Sequence, residues 1–336
     1  MSTLTRPPGR FRLADVLAVP SWLLVVLLFA APIAFLCVCA FGTFDYDTGV
    51  VNWGWTLSNL TALFSSTTFT AFLNSIVLSV VAMVTCVVIG YPIAYAMSLA
   101  RGRLQNLMLL GVIVPFWTSF VVRVYAWLTL LAPGQLVSKI LHLTGLFPAD
   151  VDLSYTRWAI FIGMVYCYLP LAILPIFSSL QGIDRNLVAA AQDLGHSPTA
   201  SFFRITVPLS LSGVGAAALL VGVPSLGEYT IPAVLGGGKS LMIGNLISNA
   251  FTSTGNYAAG SAISILLLAL LVVVYGLSRI IVTLRARARG RVVTAGSLVA
   301  RIEDSSATVI TPDPLPDSDT ETEADVAAAT DGAVIR

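Results

Sequence analysis

Asp184–Pro208 reads D-R-N-L-V-A-A-A-Q-D-L-G-H-S-P-T-A-S-F-F-R-I-T-V-P and is a polar segment between two long apolar runs. Asp184 can cap the start of a short helix, and Gly195 supplies the left-handed residue that commonly ends one. Ser197 followed by Pro198 is a typical start of a second helix, with the serine as its cap. The segment therefore predicts a helix, a sharp glycine turn and a second helix, held outside a bilayer by its charges.

The same segment carries apolar side chains that would give the hairpin one apolar side. They are Leu187, Leu194, Phe202, Phe203 and Ile205. An exposed apolar patch of this kind needs a partner surface. Two interpretations stay open: the hairpin is an inter-helix loop that rests on its own chain, or it presents this side to a second protein.

The composition is that of a protein that crosses a membrane several times. Of its 336 residues, 57% are hydrophobic and only 10% are charged, which excludes an ordinary soluble domain. The net charge of +1 hides an asymmetry, because nine of the 17 acidic residues lie at or beyond Glu303. Residues 303–336 also have almost no large apolar side chains, so we expect a disordered acidic tail.

Six apolar runs are long enough to cross the hydrocarbon core as helices, which takes about 20 residues. The first run is longer than the apolar part of a cleaved signal peptide, so we expect it to remain as a membrane anchor. The predicted fold class is therefore all-α, a polytopic membrane protein with six transmembrane helices. The six predicted spans are Trp22–Phe41, Asn74–Leu99, Leu104–Leu131, Trp158–Leu180, Leu209–Leu235 and Ala262–Leu284.

The orientation follows from the basic residues, since cytoplasmic loops collect Lys and Arg. With both termini inside, twelve arginines face the cytoplasm, and the outside holds only Lys139, Arg157 and Lys239. We therefore expect a cytoplasmic N-terminal segment, a transmembrane domain and a basic juxtamembrane segment at anionic lipid headgroups. These are residues 1–18, 19–284 and 285–302, with the loop 184–208 also in the cytoplasm.

One basic and one acidic residue lie deep within predicted spans. Arg123 is well inside the third apolar run, and Glu228 is the only acidic residue in any of the six. A charge at the centre of a span costs on the order of 3 kcal/mol and normally faces protein or water. Arg123 is either structural, snorkelling or bonding to helix-end carbonyls, or it lines a pathway. Glu228, between Gly227 and Pro232, predicts a broken helix beside a cavity or an ion pair with Arg123.

No arrangement of residues points to catalysis or to a cofactor. The chain has only two histidines, and its four cysteines all fall inside predicted spans, where they behave as small apolar residues. Gly236–Ser240 resembles the end of a P-loop, but Ala233 stands where that motif needs glycine. We therefore expect no enzymatic activity, no metal and no cofactor, and the energy for any active transport would have to come from another chain.

The polar segment resembles the EAA loop of ABC-importer permeases, whose pattern is E-A-A, x3, G, x9, I-x-L-P. The matching residues are Ala189-Ala190-Ala191, Gly195 and Ile205-Thr206-Val207-Pro208, with Ala189 where the family has Glu and Val207 where it has Leu. In that family the loop is a coupling helix that docks on a cytoplasmic ATPase. The resemblance implies a type I ABC-importer permease fold. The implied ATPase-coupling residues are Ala189, Ala190, Ala191, Asp193, Gly195, Phe202, Phe203, Ile205 and Pro208.

Three further segments resemble the spermidine/putrescine permeases, specifically the first of their two permease subunits, the PotB/PotH type. They are Pro115–Leu128, Tyr168–Asp184 and Ser225–Ile247. The resemblance implies a permease of the bacterial inner membrane that moves polyamines by alternating access. Its implied partners are cytoplasmic ATPase subunits, a second permease in a heterodimer, an extracytoplasmic solute-binding protein and membrane lipid, with no nucleic acid. The implied substrate path consists of Trp117, Arg123, Tyr125, Trp127, Glu228 and Tyr229.

Related permeases for thiamine, iron or aminophosphonates share parts of these segments, so another small solute is the alternative substrate. A secondary carrier that needs no ATPase is the rival from another class. The first external segment, Gly42–Phe72, contains Trp53 and Trp55 and has no basic residue. It is either a loop with interfacial tryptophans or a contact for the solute-binding protein.

Overall fold

A computed structural model describes residues 13–45, 48, 50–52, 54–144, 152–238 and 240–280. The predictions for residues 1–12, for the basic segment 285–302 and for the acidic tail 303–336 lie outside the described residues. The chain divides into two compact units, Met1–Val273 and Val274–Arg336. The sites described below all belong to the first unit, and the described part of the second unit, 274–280, is helical.

The described residues are almost entirely helical. One short antiparallel ribbon, in which Thr43 pairs with Asn52, follows the first helix. The elements in chain order are α1 (Leu13–Ala40), β1 (Thr43–Phe44), β2 (Val51–Asn52), α2 (Ser58–Ala62), α3 (Ser66–Leu99), α4 (Arg103–Trp117), α5 (Phe120–Leu131), α6 (Leu136–Leu143), α7 (Arg157–Gln181), α8 (Arg185–Asp193), α9 (Pro198–Ser201), a π-helical turn (Phe202–Thr206), α10 (Val207–Leu226), α11 (Thr230–Leu235), α12 (Ile243–Thr252) and α13 (Tyr257–Ile280).

Five of the described helices are long and apolar enough to cross a membrane, and a sixth span results if α4 and α5 are counted together. Those two helices meet at a bend of 93°. The five unbroken candidates are Pro20–Ala40, Ser66–Leu99, Arg157–Gln181, Pro198–Leu226 and Tyr257–Ile280. The predicted all-α class and the six apolar runs are therefore confirmed.

Two predicted spans are wrong in their continuity. The run Leu104–Leu131 is not one helix, because the backbone is extended at Thr118, with ψ of 153°, and at Ser119, with ψ of 132°. The run Leu209–Leu235 is also interrupted, since α10 ends at Leu226 and α11 begins only at Thr230. The helix break expected around Gly227 is thus confirmed. Both interruptions separate helix ends whose backbone groups need other partners.

The centre of the first unit is formed by α3, α7 and α10, which pack against one another. Small residues let these helices approach closely, as is usual between helices in a membrane. A Cβ built on Gly213 of α10 would lie 2.4 Å from Ser179 Cβ and 2.7 Å from the Pro175 carbonyl oxygen. A hydrogen bond of 2.8 Å between the hydroxyls of Tyr91 and Ser210 also joins α3 to α10.

We predict that Gly213→Ala destabilises the fold by about 1–3 kcal/mol, the usual cost of overpacking a filled interior. The new methyl group would overlap the backbone of α7, which cannot rotate away as a side chain end does. Thermal unfolding in detergent should give a lower Tm. Gly215→Ala is the matched control, because a Cβ there meets nothing within 4 Å. Equal Tm values for the two variants would contradict the close approach.

Candidate functional site

The loop Asp184–Pro208, called the coupling loop below, begins with the helix and glycine turn predicted for it. Asp184 Oδ1 accepts a hydrogen bond of 2.9 Å from the Asn186 amide and so caps α8. At the other end Gly195 has φ of +89°. The Gly195 amide donates to the Gln192 carbonyl at 2.9 Å and the His196 amide to the Ala191 carbonyl at 3.1 Å. This pair of bonds is the Schellman motif, which ends helices at a left-handed residue.

The second helix of the coupling loop begins as predicted but does not end inside the loop. Ser197 Oγ accepts a hydrogen bond of 3.2 Å from the Ala200 amide, with Pro198 in the first helical turn. The chain then passes through the π-helical turn directly into α10, and the Val207 amide donates to the Phe202 carbonyl across that turn. The loop is therefore one separate helix, α8, and a second arm that is continuous with a membrane span.

Both interpretations of the apolar side of the coupling loop find support. Phe202 rests on its own chain, edge-on to Tyr95 at 4.9 Å and to Tyr91 at 6.0 Å between ring centroids. Phe203 is 66% exposed, and Leu187 and Leu194 are also exposed. Phe202 thus anchors the loop to α3, while three large apolar side chains are left for another surface.

The remaining coupling residues divide in the same way. Ala191 is the buried residue of α8. Ile205 and Pro208 are half-buried where the second arm joins the membrane domain. The exposed members of the set are Ala189, Ala190, Asp193 and Gly195. The structure therefore presents α8 and the glycine turn on the surface and uses the end of the loop to attach it.

The second part of the candidate site is the helix break, Gly227–Tyr229, which separates α10 from α11 and contains the charged Glu228. Glu228 is only 8% exposed there. Its Oε1 accepts hydrogen bonds from the amides of Thr230, at 2.8 Å, and Ile231, at 3.2 Å. Its Oε2 accepts a hydrogen bond from the Tyr168 hydroxyl. The carboxylate therefore caps α11, where the helix dipole favours a negative charge.

The helix break and the α11 helix that follows it are closely packed from two sides. A Cβ on Gly244 of α12 would lie 2.6 Å from the Glu228 carbonyl oxygen. A Cβ on Gly163 of α7 would lie 2.9 Å from Leu235 Cδ2. In addition, Asn245 Nδ2 donates to the Tyr229 carbonyl at 3.2 Å. The break therefore packs against α12, and α11 packs against α7.

Arg123 lies in the same region but does not pair with Glu228. Its guanidinium is over the rings of Phe116, at 5.5 Å, and Phe120, at 5.6 Å, in cation–π geometry. The side chain is 8% exposed, and Nε has no hydrogen-bond partner among the described residues. The ring of Phe120 lies 6.5 Å from that of Tyr168, which binds Glu228. The two opposite charges therefore form no salt bridge, and the rings of Phe120 and Tyr168 lie between them.

The predicted path aromatics do not converge on these charges within this chain. Trp117 is 77% exposed at the end of α4, and Tyr125 and Tyr229 are also exposed. Trp127 is half-buried against Tyr166, with 5.2 Å between ring centroids. The structure therefore brings Arg123 and Glu228 close to α7 and leaves three aromatic residues on the surface.

Tyr168 is the site residue that sequence reasoning missed. It lies in Tyr168–Asp184, a segment noted only for its resemblance, and no charge or motif singled out its hydroxyl. A tyrosine followed by Leu-Pro in an apolar run has no signal that distinguishes a hydrogen-bond donor from a packing residue. Its role depends on the contact between α7 and the helix break, 60 residues away in sequence.

We predict that Tyr168→Phe lowers the stability of the fold by about 1–3 kcal/mol, because it removes a hydrogen bond to a buried charged group. Thermal unfolding in detergent should report a lower Tm. Tyr166→Phe, two residues away on α7, is the matched control and should change stability by no more than about 0.5 kcal/mol. A Tm for Tyr168→Phe equal to that of the control would contradict the contact.

Comparison with known proteins assigns the chain to a family. Residues 86–286 match the family described as binding-protein-dependent transport system inner membrane component. The spermidine/putrescine transport system permease protein PotB of Haemophilus influenzae is 34% identical over 270 residues, which cover 80% of this chain and 93% of that protein. The PotB of Escherichia coli K12 is 33% identical over 252 residues, covering 75% and 90%.

Solved structures agree in fold. The chain matches a bacterial ABC transporter that imports the acidic polysaccharide alginate with a TM-score of 0.60 and 17% identity, over 80% of this chain and 95% of that one. The same kind of transporter, solved with an alginate-bound periplasmic protein, matches with a TM-score of 0.59 and 15% identity, over 79% and 92%. The chain therefore belongs to the family of binding-protein-dependent transport system inner membrane components and is a transport permease with the fold of ABC-importer membrane subunits.

Proposed function

We propose that this permease forms half of the translocation path of an ATP-driven importer for polyamines. The observation that carries the proposal is its similarity to permeases named for spermidine and putrescine, of which the aligned regions cover 93% and 90%. The similarity to alginate transporters is at 17% identity or below and supports the fold alone. The buried carboxylate of Glu228 is the chemical feature that suits a cationic substrate.

Glu228 retains a place for an ammonium group. A carboxylate offers about four acceptor positions, and Thr230, Ile231 and Tyr168 occupy three of them. The remaining position is on Oε2. Among the described residues no cation is paired with this carboxylate, since Arg123 lies over phenylalanine rings instead. A polyamine ammonium reaching Glu228 would therefore find both a charge and an open acceptor, with the exposed ring of Tyr229 next to it in sequence.

The path itself requires a second subunit. Trp117, Tyr125 and Tyr229 are exposed on this chain, and we propose that they face the partner permease of a heterodimer or the water-filled space between the two. Trp127 and Arg123 then form the wall behind them. Alternating access would open this space to one side of the inner membrane at a time, with the interruptions between α4 and α5 and between α10 and α11 as the places where the walls reshape.

ATP hydrolysis is assigned to separate ATPase chains on the cytoplasmic side. We propose that α8 and the glycine turn dock there, with Leu187, Leu194 and Phe203 as the large apolar contacts. The exposed Ala189, Ala190 and Asp193 of α8 would also belong to the docking surface. Phe202, Ile205 and Pro208 transmit the movement to the membrane domain. In this proposal both termini lie in the cytoplasm and the exposed Trp55 lies on the external face, where a solute-binding protein would dock. Lipid would surround the rest.

The test is uptake of labelled spermidine, putrescine, thiamine and iron by a strain that lacks the gene, with and without the cloned permease. We expect only polyamine uptake to be restored, and an ATPase and a second permease to copurify with this chain. If only thiamine or iron uptake were restored, that solute, and not a polyamine, would be the substrate. Polyamine uptake that continues after ATP depletion, with no copurified ATPase, would instead establish a secondary carrier.

A further inference from the structure

A cleft of about 540 Å³ lies against one face of α8. Its walls come from the end of α3, the start of α4, the end of α7 and α8 itself. On α8 the lining residues are Arg185, Val188, Ala189 and Gln192, whose spacing puts them on one helix face. This is a different face from the one that carries the exposed Leu187 and Leu194.

The lining of the cleft is basic. Arg101 and Arg185 both line it, and no Asp or Glu is among the lining residues. Arg185 Nη2 donates to the Ser98 carbonyl, which holds this guanidinium in place. A guanidinium has five N–H donors, so most of those of Arg185 remain for another acceptor. Gln105 is also fixed, by a bond of 3.1 Å from its Nε2 to the Met97 carbonyl.

Ala189 leaves room in the cleft close to this basic lining. Its side chain is one methyl group, and it lies one helical turn from Arg185 on the same face. A guanidinium fork matches a carboxylate in charge and in geometry. The cleft therefore has a charge that suits a carboxylate, and none of its lining residues supplies one.

We propose that this basic cleft receives an acidic side chain, Asp or Glu, of the ATPase that docks on α8. The inference rests on the proposed function, since it needs α8 to be the docking helix. The ATPase is favoured over an anionic lipid because one wall of the cleft is the docking helix itself. The cleft lies on the other side of α8 from Leu187 and Leu194, so a protein that encloses this exposed helix contacts both sides.

The experiment uses the full complex, with the second permease present, and titrates the ATPase onto it in detergent. Ala189→Glu supplies a carboxylate from this chain, which occupies the cleft and repels the incoming one. We expect its Kd for the ATPase to rise about tenfold more than that of Ala189→Gln, which is nearly the same size but uncharged and therefore reports the effect of side-chain size alone. Arg101→Gln should also weaken binding, and Arg101→Lys should restore most of it.

Each other outcome has a distinct meaning. If Ala189→Glu and Ala189→Gln bind the ATPase equally well, or if Ala189→Glu binds it more tightly, the cleft does not receive a carboxylate. If the parent chain itself binds no ATPase, the proposed function fails first. A lipid site is tested in nanodiscs with and without phosphatidylglycerol. If Ala189→Glu loses phosphatidylglycerol binding and keeps its ATPase affinity, the cleft is a headgroup site and the proposal is overturned.

Discussion

Glu228→Gln is expected to insert and assemble like the parent chain, but its polyamine uptake should fall about tenfold or more. A hydrogen bond to a charged group is worth about 1.5–3 kcal/mol, and each 1.4 kcal/mol or so corresponds to a factor of ten. The variant keeps Oε1 as acceptor for the Thr230 and Ile231 amides. Its new amide group can donate to the Tyr168 oxygen, so the packing of the helix break is preserved. Only the negative charge is removed. Uptake of labelled spermidine in vesicles with a fixed amount of complex measures the effect.

Glu228→Ala separates the two roles of this side chain. It removes the cap of α11 as well as the charge, which should cost a further 0.5–2 kcal/mol or so of stability and lower the Tm. Glu228→Gln should leave the Tm nearly unchanged. Normal uptake by Glu228→Gln would take Glu228 out of the substrate path. Failure of Glu228→Gln to assemble would assign the carboxylate to structure alone.

Gly195→Val is expected to insert normally and to uncouple ATP hydrolysis from uptake. Gly195 has φ of +89°, a conformation that costs an L-residue roughly 1–2 kcal/mol and a β-branched one more. Relief of this strain breaks the two hydrogen bonds that close α8 and changes the angle between α8 and the second arm. We expect uptake to fall about tenfold or more while the ATPase remains bound and active.

The structure separates a backbone effect from a steric one at this turn. A Cβ built on Gly195 meets nothing within 4 Å, so a valine there causes no overlap. Gly195→Asn is the matched control, because asparagine adopts the left-handed conformation readily, and it should retain most of the uptake. Transport at the parental rate by Gly195→Val would remove the turn from the coupling mechanism. Equal losses in the two variants would show that side-chain size, rather than φ, matters here.

The helix caps and the glycine turn of the coupling loop could be predicted from short-range features of the sequence. Asp184, Gly195 and Ser197 act within a few residues of themselves, so their preferences predict the coupling loop directly. The break beside Glu228 was predictable for the same reason, since Gly227 and Pro232 both disfavour a continuous helix. The 93° bend between α4 and α5 was not predicted, because Thr118 and Ser119 are uncharged residues of a kind that is common inside continuous membrane helices.

Contacts between residues that are far apart in the chain could not be predicted from the sequence. Two buried charges of opposite sign suggested an ion pair, yet Arg123 lies over aromatic rings and Glu228 binds Tyr168 and two amides. The partition of the apolar loop residues also depends on packing, since Phe202 and Phe203 are adjacent and only Phe202 reaches Tyr95. Which of two neighbouring residues turns inward is decided by the tertiary contacts of the helix.

Because the second arm of the coupling loop continues into α10 without a break, a movement of the loop would be carried along that whole helix. Pro198–Leu226 is a helix of 29 residues, and at 1.5 Å per residue its length is about 43 Å. If its middle is the fulcrum, a tilt of about 5° moves each end by roughly 2 Å in opposite directions, by the same dimensions. Glu228 lies two residues beyond the far end. A push of that size at Ser197 would therefore displace the charged break by about as much, across the full thickness of the membrane.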